Sequence, residues 1–123
     1  MAYRDILQYQ AAAYAAKGIY EKALQNFLTI EPFYPQEDYL EKVRIWRNIG
    51  TQYTRLQNKE QALTYFDRAI QYGLKHLPPG NLEVIMAYND RSSLYSIFLE
   101  YDRANEGFRE GLLLLIKYGV ADS

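Results

Sequence analysis

The stretch VRIWRNIGTQYTRLQNKEQALTYFDRAI, residues 43–70, repeats its apolar residues with the period of an α-helix. In its first half, the residues on one helical stripe are Val43, Trp46, Ile49, Gly50, Tyr53 and Leu56. In its second half, the residues that resume the pattern are Ala62, Leu63, Phe66, Ala69 and Ile70. Asn58 lies between the two stripes and tolerates turn and cap geometry. The stretch therefore predicts two helices joined by a tight turn.

The four prolines form two clusters, Pro32 with Pro35 and Pro78 with Pro79, which divide the chain. Proline lacks a backbone donor and stops helices, so each cluster predicts a boundary. The blocks left between the clusters are 1–31, 36–77 and 80–123. All three blocks show two helical stripes and no sustained alternation, which favours an all-α fold. The predicted helices are 2–17, 20–31, 36–57, 59–76, 81–99 and 101–118.

The three blocks also match one another residue by residue. An alanine precedes a phenylalanine by four positions in each block, at Ala23 and Phe27, Ala62 and Phe66, and Ala104 and Phe108. The spacing between corresponding residues is 39 from the first block to the second and 42 from the second to the third. A fixed set at such spacing indicates repeated hairpins that bury their apolar faces by stacking.

This set resembles the tetratricopeptide repeat (TPR), whose helix pair carries a Trp-Leu-Gly-Tyr-like group followed by Ala, Phe and Ala. The resemblance covers nearly the whole chain. It implies one TPR-like domain over 1–123, with three stacked helix-turn-helix hairpins in a short right-handed α-solenoid. The implied repeats are about 4–35, 43–76 and 85–118. Since the standard unit is about 34 residues, the longer spacing is similar to that of kinesin light chains and of peptide-sensing domains in bacterial regulators.

Composition removes several function classes. The 14 basic and 15 acidic residues give a net charge of −1, which provides no overall attraction to nucleic acid or an anionic membrane. Cysteine is absent, and the single histidine, His76, has no second ligand for a metal. The longest apolar run, 112–116, is far too short to span a bilayer. The sequence predicts a cytoplasmic protein that is not an enzyme and has no cofactor, nucleic-acid partner or membrane partner.

The third predicted helix carries the most informative charges. Between Lys42 and Lys59 there are five basic residues and no acidic one. In the resembling family, this face of each first helix lines the concave surface that binds extended peptides. Guanidinium groups bind carboxylates in bidentate fashion, and asparagine amides bind a peptide backbone. The residues predicted to form a peptide-binding groove are Arg44, Arg47, Asn48, Thr51, Arg55, Asn89, Asp90 and Ser93.

Two hypotheses remain open for the arginines of this groove. In the first, they bind the carboxylate of a peptide or protein ligand, and Arg47→Glu abolishes binding with little change in melting temperature. In the second, Arg44 and Arg47 are solvated or paired with Asp90 and Asp5 across the groove. The two hypotheses differ in whether the positive charge is available to a partner.

Binding of chaperone C-termini is disfavoured. In the resembling family, TPR domains of that kind use Lys and Asn, then Asn, then Lys and Arg on successive first helices. The corresponding positions in this chain are Gln8, Ala12, Asn48, Met86 and Asp90. Only Asn48 matches, and Asp90 has the opposite charge. A ligand of mixed charge is expected instead.

Two further functions remain alternatives. Five consecutive apolar residues lie around most of the last helix, so one hairpin partner cannot cover them all. They predict a self-assembling structural domain, most simply a homodimer, since an exposed apolar patch usually marks an interface. The residues of this predicted surface are Leu112, Leu113, Leu114, Leu115 and Ile116. Alternatively, the chain is the sensor part of a longer regulator whose DNA-binding part lies elsewhere.

Overall fold

A computed structural model describes residues 3–119, and this part of the chain is helical without any strand. The helices are α1 (Tyr3–Ala16), α2 (Tyr20–Ile30), α3 (Tyr39–Arg55), α4 (Lys59–His76), α5 (Leu82–Ile97) and α6 (Tyr101–Leu114). A 3-10 turn, Glu31–Phe33, follows α2, and a π-helical turn, Leu115–Gly119, follows α6. The prediction of six helices in three hairpins is confirmed. Residues 1–2 and 120–123 of the predicted domain lie outside the described residues.

Two predicted helix ends differ from the structure. Helix α3 begins at Tyr39 instead of residue 36, because the chain after Pro35 first makes a turn that Asp38 closes through its backbone. Helix α6 ends at Leu114, and the π-helical turn replaces the end of the helix predicted to reach residue 118. This turn packs on the Pro-Pro-Gly loop, since a Cβ on Gly80 would lie 2.7 Å from the backbone of Tyr118.

The helices pack in chain order, each against the next, from α1 to α6. In addition α3 contacts α5, so the first helices of the second and third hairpins lie side by side. This arrangement is that of a short helical solenoid, in which each hairpin contacts its neighbours and the core runs continuously between them. One face of the molecule is therefore formed by α3 and α5, which are the first helices of their hairpins.

The three turns within the hairpins are alike. Gly18, Gln57 and Leu99 stand at corresponding positions and all have positive φ, between 61° and 79°. In each turn the next residue donates its N–H five residues back, to the carbonyl oxygen of Tyr14, Tyr53 or Tyr95. This is the Schellman arrangement that closes a helix C-terminus. The sequence predicted the glycine turn, but glutamine and leucine give no such signal, since they rarely adopt this conformation.

Small residues allow close approach within the hairpins. A Cβ on Gly50 would lie 2.5 Å from the ring of Phe66, so any larger residue there would collide with α4. The third hairpin makes its close contact between Ser92 and Gly107, where a Cβ would meet the serine oxygen at 2.1 Å. Ala11 is fully buried at the corresponding place in the first hairpin. A small residue therefore stands at the corresponding buried place in all three hairpins.

The lengthened junction between the first two repeats is held by polar contacts, of which those of Glu31 are partly buried. Glu31 Oε1 accepts hydrogen bonds from Lys42 Nζ at 2.9 Å and from Trp46 Nε1 at 3.2 Å. Lys42 is almost fully buried, so this pairing offsets the cost of removing its charge from water. Tyr72 donates to the backbone carbonyl of Gln36 in the same junction. These bonds fix the residues that make the repeat longer than the usual unit.

Ala62 gives a test of the tight packing between α3 and α4. Its side chain is completely buried in a small cluster with Phe66 and Leu94. We expect Ala62→Leu to lower the free energy of unfolding by about 1–3 kcal/mol, because overpacking forces neighbouring side chains out of their preferred rotamers. Urea unfolding monitored by circular dichroism measures this, with Ala12→Leu on the exposed face of α1 as the control. Equal stability of the two variants would contradict the tight contact.

Candidate functional site

An ion-pair network joins the facing sides of α3 and α5. Arg47 donates from Nε to Asp90 Oδ2 at 2.7 Å and from Nη1 to Glu83 Oε2 at 2.7 Å. Arg44 donates from Nη2 to the other oxygen of Glu83 at 3.1 Å and from Nη1 to Glu41 at 2.6 Å. The Arg47 side chain is only 16% exposed. The network therefore crosses between two repeats in a largely dehydrated position.

Charge and burial act in opposite directions in this network. Burial lowers the pKa of the Arg47 guanidinium, but the hydrogen bonds and charges of Asp90 and Glu83 outweigh burial and raise it. Burial raises the pKa of the Asp90 carboxyl, and the hydrogen bond and charge of Arg47 lower it without fully offsetting burial. The charge of Glu83 raises the pKa of Asp90 further. Arg47 is therefore the group that opposes the effect of burial on the pKa of Asp90.

The network favours the second of the two hypotheses for Arg47, because the residue is paired with carboxylates of its own chain. Its guanidinium donates from Nε and Nη1 to carboxylates of α5, so part of its donor capacity is used within the chain. The predicted partner Asp90 is present, while Glu83 stands in the place that the sequence assigned to Asp5. Losing Arg47 would leave buried charge unpaired. On this geometry we expect Arg47→Glu to lower the melting temperature, in place of the small change that the first hypothesis predicts.

Four of the predicted groove residues line one cavity farther along the same face. The cavity has a volume of about 190 Å³ and lies where the C-terminal halves of α3 and α5 face each other. Its predicted lining residues are Thr51, Arg55, Asp90 and Ser93. Three further residues complete it, namely Thr54, Phe66 and Ile97.

Arg55 is the cation of this cavity. Its side chain is exposed, and within residues 3–119 it has no acidic partner within ion-pair distance. Ile97 is a half-exposed aliphatic group on the opposite wall, and the Phe66 ring lies almost fully buried beneath the cavity. The Thr54 hydroxyl donates to the carbonyl oxygen of Gly50 at 2.9 Å and keeps its acceptor capacity. The cavity thus combines one available positive charge with hydroxyl groups and an apolar floor.

The structure does not bring the remaining predicted residues into this cavity. Asn48 is partly buried and lies outside the lining. Asn89 lies beside α6, since its Oδ1 is 3.2 Å from where a Cβ on Gly111 would be. It is therefore turned toward the partner helix of its own hairpin. The pairing of Asn48 and Asn89 along one peptide backbone has no support from this geometry.

Sequence reasoning missed Glu83, which is the centre of the ion-pair network. Glu83 precedes Asp90 by seven residues, which places the two carboxylates on the same face of a helix. That spacing is a signal that could have identified it. Glu83 lies two residues after the N-cap Asn81, whose side chain accepts a hydrogen bond from the Glu83 N–H. An acidic residue at that position is expected at the start of any helix, so Glu83 did not stand out as a functional residue.

The five apolar residues of the predicted self-association surface separate into different environments. Leu112, Leu113 and Ile116 are more than half exposed. Leu114 instead packs against the main core, and Leu115 is partly covered and touches Gly119 in the π-helical turn. The exposed surface at the end of α6 is therefore smaller than the sequence predicted, because one of the five leucine and isoleucine side chains faces inward.

None of the helices within residues 3–119 is both long and apolar enough to cross a membrane.

No family model matches the chain, and no curated protein matches its sequence. Among solved structures, BtubC (BKLC) from P. vanneervenii is similar, with a TM-score of 0.82 and 20% sequence identity. The likeness covers 98% of this chain and 48% of that chain, so this chain spans about half the length of that protein. At this identity the likeness concerns the fold. The chain has the fold of a TPR-like helical repeat protein.

Proposed function

We propose that the chain is a non-catalytic protein-interaction module that binds an extended peptide or protein segment in the groove between α3 and α5. The observation that carries this proposal is the cavity beside Arg55. It lies on the face formed by first helices of neighbouring repeats, and it combines an exposed cation with the half-exposed aliphatic side chain of Ile97. Binding sites commonly combine an apolar surface with a few polar groups that fix orientation.

The lining indicates the chemistry of the ligand. Arg55 would bind a carboxylate through its guanidinium fork. Asp90 lies on the opposite helix and accepts N–H donors, while Thr51 and Ser93 offer hydroxyl groups to a peptide backbone. At about 190 Å³ the cavity is smaller than a typical small-molecule site of 300–1,000 Å³. It therefore suits one side chain or a chain terminus of a longer segment that lies along the groove.

Arg44 and Arg47 have a different role in this proposal. They hold α3 against α5 through Glu83 and Asp90, and so keep the walls of the groove at a fixed separation. Preorganised walls reduce the entropy that binding would otherwise lose. The carboxylate-binding function predicted for the whole arginine stripe is thus assigned to Arg55.

Arg55→Glu tests this assignment. The wild-type protein would first be used to select binders from a library of random linear peptides. We expect the selected peptides to carry an acidic side chain or a free C-terminal carboxylate. Arg55→Glu should then weaken their binding by at least about 30-fold, since losing a desolvated charge-assisted contact costs about 2 kcal/mol or more. Isothermal titration calorimetry measures the change in affinity.

The matched control is Lys22→Glu, which makes the same charge reversal on the exposed surface of α2. It should leave the affinity within about twofold, because isolated surface charges contribute little. Neither variant removes an ion pair with a described residue. Arg55→Glu places a negative charge in the last turn of α3, so we expect it to lower the free energy of unfolding by at most about 1 kcal/mol. Equal affinities for Arg55→Glu and Lys22→Glu would assign the binding to another surface.

A second function is proposed from the end of the solenoid, namely self-association through α6. The observation that favours it is the exposure of Leu112, Leu113 and Ile116 on one short helix. Exposed apolar groups of this kind commonly mark a protein interface. A module with both properties would present its groove on an assembled scaffold.

Three narrower proposals concern the kind of repeat, the location in the cell and the role in a larger protein. The 39- and 42-residue spacing supports the proposal that the repeats are of the long TPR kind, similar to those of kinesin light chains and bacterial peptide sensors. A cytoplasmic location and a role as the sensor part of a larger regulator stay predictions from the sequence.

A further inference from the structure

We propose that copies of this chain stack head to tail, with α6 of one copy packing on α1 of the next copy as one internal repeat packs on another. This inference rests on the self-association proposed above and specifies its geometry. It follows from comparing positions that correspond between repeats, since a residue buried in an internal repeat and exposed in a terminal one indicates what would cover it.

The α6 end of the molecule has an uncovered inter-repeat face. In α4, Phe66 is 1% exposed and Ile70 is likewise buried at the boundary with the third repeat. The corresponding residues 42 positions later are Phe108, which is 39% exposed, and Leu112, which is 54% exposed. The residue types stay apolar although no described helix covers them. Their pattern fits a first helix of the TPR-like kind lying against α6.

The α1 end has the complementary uncovered face. In α3, Lys42 and Ile45 are buried at the boundary with the first repeat. The corresponding residues 39 positions earlier are Tyr3 and Ile6, and both are more than half exposed. Helix α1 therefore presents an aromatic and an aliphatic group on the side that a preceding repeat would cover. A second copy of the chain can supply that repeat through its own α6.

The fit between copies is looser than between internal repeats. Inside the chain, Gly73 of α4 lies so close to Val84 of α5 that a Cβ on the glycine would meet it at 2.6 Å. The corresponding pair across two copies is Leu115 and Tyr3, which are both larger. Copies therefore cannot approach as closely as internal repeats. We expect reversible, concentration-dependent association in place of a permanent dimer.

Head-to-tail contact has a consequence that a symmetric dimer does not have. It uses two different surfaces, so a copy with one blocked surface can still join a copy whose other surface is blocked. Ile6→Glu blocks the α1 end, and Leu112→Glu blocks the α6 end. Both residues are exposed, so neither substitution buries a charge in the folded monomer.

Sedimentation velocity over increasing protein concentration tests the inference. The wild-type protein should show a mass that rises with concentration beyond that of a dimer. Each variant alone should stay monomeric, and an equimolar mixture of the two should form a dimer. Should either glutamate variant unfold more easily than wild type, Ile6→Ser and Leu112→Ser would replace it.

Two results would overturn the inference in distinguishable ways. If Ile6→Glu associates as strongly as wild type while Leu112→Glu does not, the contact is a symmetric one between two α6 helices. Self-association would then stand and head-to-tail stacking would not. A wild-type protein that stays monomeric at all concentrations would overturn both.

Discussion

Arg47→Ala is expected to lower the free energy of unfolding by about 3 kcal/mol at neutral pH. The substitution removes the shared partner of Glu83 and Asp90, so Asp90 loses its ion pair while Glu83 keeps Arg44. Breaking a buried ion pair by removing one member costs about 3–5 kcal/mol. The lower figure applies because Glu83 keeps its ion pair with Arg44 and Asp90 retains some contact with water. Urea unfolding at pH 7 measures the loss.

Arg55→Ala is the matched control, since it removes the same side chain two helical turns later on α3. Arg55 is exposed and has no acidic partner within the described part of the chain, so its loss should change stability by at most about 0.5 kcal/mol. If the two alanine variants unfolded at the same urea concentration, the network between α3 and α5 would not contribute to stability.

The effect of Arg47→Ala should depend on pH. Arg47 lowers the pKa of Asp90 against the effects of burial and of Glu83, so its removal raises that pKa further above the unfolded value. An acid whose pKa is raised by folding destabilises the folded state at pH values above its folded-state pKa. The penalty disappears as the pH falls through that pKa toward the unfolded value. The stability difference between variant and wild type should therefore narrow in acid, and a constant difference would contradict this mechanism.

The arginine stripe shows how far the sequence predicted the site. Helical periodicity correctly placed Thr51 and Arg55 on the face that meets Asp90 and Ser93, and these four line one cavity. Periodicity could not decide whether Arg47 faces a ligand or a carboxylate of its own chain. That depends on whether α3 and α5 approach within the reach of two side chains. The distance between α3 and α5 is set by the packing of the apolar residues between repeats. That packing does not produce a regular pattern of charged residues in the sequence.

The fold was more predictable because its signal is repeated. Every hairpin carries an apolar stripe, a small residue and a turn at corresponding positions. A feature that is weak in one block can therefore be predicted from the same position in the other two blocks. The turns at Gln57 and Leu99 are an instructive case. Their residue types do not predict positive φ, but their distances of 39 and 42 residues along the chain from Gly18 and Gln57 do. The π-helical turn after α6 has no such counterpart and was missed.

Phe66→Ala and Phe108→Ala form a matched pair that tests the repeat architecture with the largest expected effect. The two residues correspond in sequence, and both stand four residues after an alanine of the second helix. Phe66 is 1% exposed between two repeats, so Phe66→Ala should cost about 3–5 kcal/mol through lost burial and the cavity left behind. Phe108 is 39% exposed at the end of the solenoid, and Phe108→Ala should cost less than half as much in a dilute solution of monomers.

Varying the protein concentration separates the contribution of Phe108 to the stability of the monomer from its contribution to self-association. If α6 packs on α1 of another copy, Phe108 becomes covered in the assembly, and its replacement should also weaken self-association. The stability cost of Phe108→Ala should then increase with protein concentration, whereas that of Phe66→Ala should not, because only binding to the folded state makes stability depend on concentration. Denaturant unfolding at two widely separated protein concentrations measures both. If the two substitutions lowered the free energy of unfolding equally in dilute solution, coverage by a following repeat would not contribute to the stabilising effect of Phe66.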